Sequence, residues 1–362
     1  MYLNKLSLLD FKNIKEASLL FSPKLNCVTG LNGSGKTNLL DAVYYLSMTK
    51  SYFTSTDTHS ISYESDRCRI SGDYVREDET KENINIVIGR EGEKTVKRNS
   101  KTYNRLSEHI GLIPIVMVSP YDNCLINESG DERRRFVNSI LSQLDKEYLR
   151  KIQNYNHLLF QRNKLLKNHV VIEDLLYSYS VKMSENAAYI HKSRGEFTRM
   201  LVPLADKYYK LLSGGREEIE ITYRSDLDNS SPEELFEKSL ERDKLLKYTT
   251  SGIQRDDLLF YMDGHPYKIY GSQGQQKSFL ISLKLAQFEI MREIYGKTPL
   301  LLLDDVFDKL DMERVEALLN LVSSNLFGQI FITDSNKVRV ESILKKINGS
   351  STSYEVISGR FV

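Results

Sequence analysis

The spacing of apolar residues changes twice along the chain. Up to Pro120 it is strand-like. Leu6, Leu8 and Ile14 lie in short alternating stretches, and Leu25–Val28 is an apolar strand running into a glycine-rich turn. Arg67–Val75 and Ile84–Ile88 predict strands separated by a charged turn, and Ile113–Val118 is apolar enough for a buried strand. From Gly130 to Arg216 the period becomes helical. Phe136, Ile140, Leu141 and Leu144 share one face, which Leu149, Ile152, Leu158 and Leu159 continue. Ser213-Gly214-Gly215 breaks that run, Glu218–Tyr223 alternates as a short strand, and Pro232–Tyr248 is charged and helical. After Thr249 the strands return. Leu258–Met262 and Tyr267–Tyr270 flank Asp263-Gly264, a hairpin signal. Ser278–Tyr295 predicts an amphipathic helix, and Leu300–Leu303 and Gln329–Thr333 suit a parallel sheet. The pattern predicts an α/β fold with an antiparallel β subdomain. A split domain (1–129 and 249–362) encloses a mainly helical lobe (130–248).

Composition narrows the class. The 362 residues are 40% hydrophobic and 27% charged, enough for a core inside a soluble globular protein. No apolar run approaches the roughly 18 residues of a membrane span. Met1–Asp10 lacks the features of a signal peptide. Cys27, Cys68 and Cys124 are far apart and odd in number, which predicts buried free thiols and a reducing cytoplasm. The formal net charge of +1 leaves any nucleic-acid role to local patches.

Three segments carry chemistry. Gly30-Leu31-Asn32-Gly33-Ser34-Gly35-Lys36-Thr37 is a full phosphate loop, following a strand and opening the helical run Asn38–Leu46. Its glycines let backbone N–H groups surround phosphate oxygens at a helix N-terminus. In that motif Lys36 reaches the β- and γ-phosphates of ATP and the Thr37 hydroxyl ligates Mg²⁺. Leu300–Leu303 ends in Asp304-Asp305, the arrangement in which Asp304 holds Mg²⁺ through water and Asp305 polarises the attacking water. Gly271-Ser272-Gln273-Gly274-Gln275-Gln276-Lys277 resembles the ABC signature, with Gln273 in place of the first glycine. In ABC ATPases Ser272, Gly274 and Gln275 would face the γ-phosphate held by a second subunit. Lys309-Leu310-Asp311 resembles the D-loop, and Thr333-Asp334 stands where histidine often serves as the switch. Together these segments predict an ABC-type P-loop ATPase head, with Lys36, Asp304 and Asp305 as its catalytic set.

His59, His109, His157, His169, His191 and His265 are scattered without ligand spacing. Two segments are locally basic. Lys94, Lys97, Arg98, Lys101 and Arg105 crowd around Tyr103. Arg150, Lys151, Arg162, Lys164 and Lys167 lie in Tyr148–Ile172, a stretch with no acidic residue. The second is the candidate DNA surface, because an ordinary solvated face mixes signs.

GLNGSGKTNLL at Gly30–Leu40, Ser119–Phe136 with Glu132-Arg133-Arg134-Arg135, Ile253–Leu258, GSQGQQKSFLISLKLAQ at Gly271–Gln287 and LLLDDVFDKLD at Leu301–Asp311 together resemble the bacterial RecF family. Ile253-Gln254 replaces the family's usual Pro-His, and Ser51-Tyr52-Phe53-Thr54 lacks its usual arginine. The resemblance implies a cytoplasmic ATP-dependent protein that acts at gapped DNA. It further implies an ATP-dependent homodimer, cooperation with RecO and RecR, and support of replication and the SOS response. Other SMC-like heads carry long coiled coils, and Lys36 to Asp304 holds no sustained heptad run. A small-molecule kinase would have no use for a signature serine.

Overall fold

The structure, a computed structural model, describes residues 1–168, 172–324, 326–346 and 350–362. His169 lies outside the described residues. Along the chain run β1 (Tyr2–Phe11), β2 (Ile14–Leu20), β3 (Leu25–Gly30), α1 (Lys36–Met48), β4 (Arg67–Val75), β5 (Lys81–Gly89), β6 (Lys94–Arg98), β7 (Lys101–Thr102) and β8 (Ile115–Val118). There follow α2 (Cys124–Asn127), α3 (Gly130–Leu144), α4 (Lys146–Leu166), α5 (Glu173–Ser213), β9 (Ile219–Arg224), α6 (Pro232–Leu246), β10 (Asp257–Met262), β11 (His265–Pro266) and α7 (Tyr267–Tyr270). The chain closes with α8 (Gln273–Tyr295), β12 (Leu300–Asp304), α9 (Met312–Val322), β13 (Ile330–Asp334), α10 (Lys337–Lys346), β14 (Ser351–Ile357) and β15 (Arg360–Phe361).

The chain divides into two compact units. The first comprises Met1–Asp122, Leu211–Gly214 and Gln273–Val362. It holds an antiparallel sheet in the order β2-β1-β4-β5-β6-β7 and a largely parallel sheet in the order β15-β14-β3-β13-β12-β8. Strict alternation along β4 and β5 turns Cys68, Ile70, Ile84, Ile86 and Ile88 inward. They join Leu3, Leu6, Phe11, Leu39, Val43, Tyr45, Leu46, Leu302 and Phe331 in one core. Each fully buried Leu, Ile or Phe of this kind contributes about 1.5–3 kcal/mol. The parallel register sets Asp304 opposite Thr333, and Thr333 opposite Val28. The strand ends Gly30, Asp304 and Asp334 therefore come out at one edge, where ligands of parallel sheets bind.

The second unit comprises Asn123–Lys210 and Gly215–Ser272. It contains α3, α4, most of α5, α6 and the sheet β11-β10-β9. Its bounds differ from the lobe expected at 130–248, because β10 pairs with β9 from Asp257↔Arg224 to Met262↔Ile219. That long-range pairing draws the Leu258–Met262 hairpin into the helical unit. The turn at Asp263-Gly264 forms as expected, both residues having positive φ. Tyr267–Tyr270, expected as a strand, is instead the helical turn α7. Tyr267 is fully buried, and its hydroxyl bonds that of Tyr209 at 3.0 Å. Helix α8 begins at Gln273 rather than Ser278 and is buried on nearly every side from Lys277 to Met291. It is a core helix, not an amphipathic surface one. Among the described residues Cys27, Cys68 and Cys124 are buried and form no disulfide. Among the described residues no helix is long and apolar enough to cross a membrane.

Candidate nucleotide site

β3 delivers the chain to Gly30 at the edge of the parallel sheet, and α1 leaves from Gly35, its N-cap. A Cβ at Gly30 would stand 2.5 Å from the Val356 carbonyl and 2.8 Å from Ser34 Oγ, so only glycine lets the loop turn this close to β14. The Ser34 carbonyl accepts from the Gly359 amide at 2.8 Å and from Asn13 Nδ2 at 3.3 Å. The loop is thus tied to the β1–β2 turn and to the β14–β15 turn. A Cβ at Gly359 would collide with the Asn13 carbonyl. Lys36 is buried, and its Nζ donates to the carbonyls of Gly30 at 3.0 Å and Leu31 at 3.2 Å. The ammonium therefore lies across the mouth of the loop.

Asp304 ends β12 at 2% exposure. The Thr37 hydroxyl reaches both of its carboxylate oxygens at 3.0 Å, Thr333 Oγ1 donates at 2.7 Å, and Ser119 Oγ at 3.4 Å. Burial raises the Asp304 pKa, opposed by bonds from Thr333 and Thr37 and by the charge of Lys36. Asp305 is half-buried and has φ 44°, a left-handed conformation uncommon outside glycine. Its amide donates to Thr333 O at 3.2 Å and Thr333 Oγ1 at 3.1 Å. Burial raises the Asp305 pKa as well; Lys36 opposes the shift, and Asp304 and Asp334 add to it. A carboxylate held above its ordinary value is a stronger proton acceptor. Thr333 thereby bridges both carboxylate residues. The Asp334 carboxylate is taken up by Asn336 N at 2.8 Å and Arg339 at 3.2 Å.

Thr37 and Asp304 suit a hard divalent cation. A hydroxyl and a carboxylate this close together are the oxygen donors such an ion would take, directly or through water. Among the described residues no group of three or more His, Cys, Asp or Glu could hold a metal, so the remaining ligands would come from phosphate and water.

The signature residues form a separate surface. Ser272 is exposed just before α8, with Gly274 and Gln275 in the first turn. A Cβ at Gly274 would stand 3.3 Å from the Lys309 carbonyl, so this segment adjoins the D-loop candidate. Asp311 caps α9 through the Arg314 amide at 2.8 Å, and Arg314 reaches back to Ser278 Oγ at 2.8 Å.

The basic segment Tyr148–Ile172 needs correction. Arg162 is fully buried, paired with Asp243 at 2.7 Å, bonded to Thr249 Oγ1 at 2.7 Å and set over the Phe236 ring. It cannot meet a phosphate. Arg150 and Lys151 are paired with Glu147, one turn earlier. Lys164 and Lys167 are exposed. The missing carboxylates are supplied from α6 and from just outside the segment. In the first basic cluster Lys94 pairs with Asp57 and Arg98 with Glu82, while Lys97, Lys101 and Arg105 are exposed. The arginine run is likewise occupied: Arg133 forks onto Asp257 at 2.7 and 3.0 Å, and Arg134 donates to the Asp256 carbonyl at 2.6 Å. Arg135 is exposed beside Glu132. Arg194 meets Asp256 at 2.6 Å inside the same unit. His109 is buried between Leu46 O and Tyr103, and His59, His157 and His265 are exposed.

Sequence reasoning passed over Ser119, Asn13 and Gly359. Ser119 lay within a quoted motif, but a lone Asn in a turn and a near-terminal Gly carry no signal of their own.

An α/β head with a phosphate loop, paired strand-end aspartates and a signature segment at a helix start defines the ABC-type ATPase class. The family described as RecF/RecN/SMC N terminal domain matches residues 2–356. The chain is 44% identical over 360 residues to a DNA replication and repair protein RecF of Bacteroides fragilis (strain YCH46), covering 99% of this chain and 97% of that one. A RecF of Parabacteroides distasonis is 44% identical over 359 residues, covering 99% and 98%. A solved structure described as the recombination mediator protein RecF-ATP in the RecFOR pathway superposes with a TM-score of 0.89 at 29% identity, over 100% of this chain and 97% of that one. The chain belongs to the RecF family.

Proposed function

We propose that this chain is an ATP-dependent DNA-binding protein of recombinational gap repair that acts in the cytoplasm. The observation that carries the reading is the Thr37–Asp304 contact at 3.0 Å beside Lys36, the arrangement a Mg²⁺–nucleotide complex requires. Backbone amides of the Leu31–Thr37 loop would receive the phosphates, and Lys36 would leave the Gly30 and Leu31 carbonyls for the β- and γ-oxygens. Thr37 and Asp304 would hold Mg²⁺, whose charge would offset that of the phosphates. Asp305 polarises the attacking water. Ser272, Gly274 and Gln275 of a second copy complete the site, so ATP favours a homodimer and slow, DNA-stimulated hydrolysis releases it.

DNA contacts fall to exposed lysines such as Lys164 and Lys167, which bind phosphates without reading bases. The RecF membership and the RecFOR-pathway description of the solved relative support partnership with RecO- and RecR-type mediators at single-strand gaps, in replication and the SOS response. Sedimentation with and without ATP and Mg²⁺, repeated with gapped duplex, tests the reading. The expected result is a monomer that dimerises with ATP and is held further by gapped DNA. A chain that stays monomeric with saturating ATP and Mg²⁺ overturns it.

A further inference from the structure

Two buried charged side chains of the first unit and one half-buried tyrosine have no place in the phosphate-loop scheme. They are Lys284 on α8, Asp122 just after β8 and Tyr52 just after α1. Lys284 Nζ lies 2.9 Å from Asp122 Oδ1, with side-chain exposures of 5% and 4%. It also donates to the Tyr52 hydroxyl at 2.8 Å, and that hydroxyl bonds Asp122 in turn. A buried ion pair stabilises little beyond what apolar residues of the same size would give. This one leads to the nucleotide site. The other Asp122 oxygen accepts the Ser119 amide at 2.8 Å, and the Ser119 hydroxyl is the group that approaches Asp304 Oδ2 at 3.4 Å. Two turns earlier on α8, Lys277 donates to the Asp305 carbonyl at 3.2 Å. One helix thus reaches Asp305 directly and Asp304 through Asp122 and Ser119. The same helix opens with the signature segment.

We infer that Lys284 and Asp122 are positioning residues that set the orientation of the Asp304 carboxylate through Ser119. They tie the start of α8 to the divalent-cation side of the same chain's own nucleotide site. A helix that serves a neighbour's ATP through its first turn is thereby held in register with the ATP of its own chain. The inference rests on the nucleotide-site reading above.

The test measures Mn²⁺ affinity by electron paramagnetic resonance in the presence of a saturating non-hydrolysed ATP analogue. Groups bonded to a metal ligand, as Ser119 is to Asp304, typically shift the metal's affinity about tenfold or more, and Lys284 acts through that bond, so Lys284→Met is expected to weaken Mn²⁺ about tenfold. Its affinity for the analogue without metal should stay within about twofold of wild type, since the loop itself is untouched. Ser119→Ala should reproduce the same split. If Lys284→Met alone does not fold, the paired Lys284→Met/Asp122→Leu replacement removes both charges together and keeps the volume apolar. It should fold and show the same loss. Wild-type Mn²⁺ affinity in either folded variant overturns the inference. A wild-type chain that fails to bind the analogue overturns the nucleotide-site reading itself, a different and separately visible outcome.

Discussion

The hydroxyl of Thr37 stands 3.0 Å from both carboxylate oxygens of Asp304, joining the first turn of α1 to the end of β12. Neither residue reaches the other through local chain geometry. The contact exists because β13 sits between β3 and β12 in the parallel sheet and aligns their ends.

Lys36→Met is expected to weaken ATP binding by about one to two orders of magnitude, the usual cost of losing a charge-assisted bond to phosphate. Calorimetric titration reads this directly.

Asp305→Asn is expected to keep ATP bound while hydrolysis falls by about two orders of magnitude or more. The same change should raise the melting temperature of the nucleotide-free chain. Asparagine accepts the left-handed backbone, and a neutral amide avoids the burial that penalises the carboxylate. The pH dependence follows in sign. A carboxyl whose folded pKa is raised lends stability below its unfolded value and loses it as pH rises through the folded one. Wild-type stability at this site therefore declines on leaving acid pH, and the Asn variant lacks that decline. Hydrolysis runs the other way, falling on acidification from a pH above the ordinary carboxylate range. Thermal melts and rate profiles of both chains across that range check the two slopes.

Arg162→Ala is expected to destabilise the second unit by about 3–5 kcal/mol, because Asp243 would remain buried without its partner. Lys164→Ala/Lys167→Ala should leave stability alone and lower the log–log salt slope of DNA binding by up to about two units. Denaturant melts and binding isotherms across salt separate the two effects. An unchanged salt slope would move the phosphate contacts elsewhere, for instance to the exposed Lys97, Lys101 and Arg105.

Ser272→Arg is expected to leave ATP binding by the single chain intact and to abolish ATP-dependent dimerisation, since the serine is exposed at the start of α8, where a bulky cation would clash with a second copy. Sedimentation with ATP decides; a dimer of undiminished strength removes the signature segment from the interface.

The phosphate loop and Asp304-Asp305 were legible because each is a contiguous motif whose neighbours in sequence supply its strand and helix. What stayed hidden depends on residues far apart in the chain. The charge of Arg162 is cancelled by Asp243, so a window without carboxylates misrepresented its surroundings. The hairpin at Asp263-Gly264 was recognised by its turn, but its membership of the helical unit rests on pairing with β9. The position of Thr333 was noticed as a departure from the usual histidine. Its two hydrogen bonds, one donated to Asp304 and one accepted from the Asp305 amide, became visible only once β12 and β13 lay side by side.

The strand that carries the phosphate loop has β13 on one side and β14 on the other, and the loop itself leans on Gly359. During synthesis the loop is made well before either flanking strand, since both lie beyond Gln329. A nascent chain therefore displays a finished nucleotide motif with no frame to hold it, and competence to bind waits until β13 and β14 have been made. A message broken before β13 would yield a product unable to capture ATP.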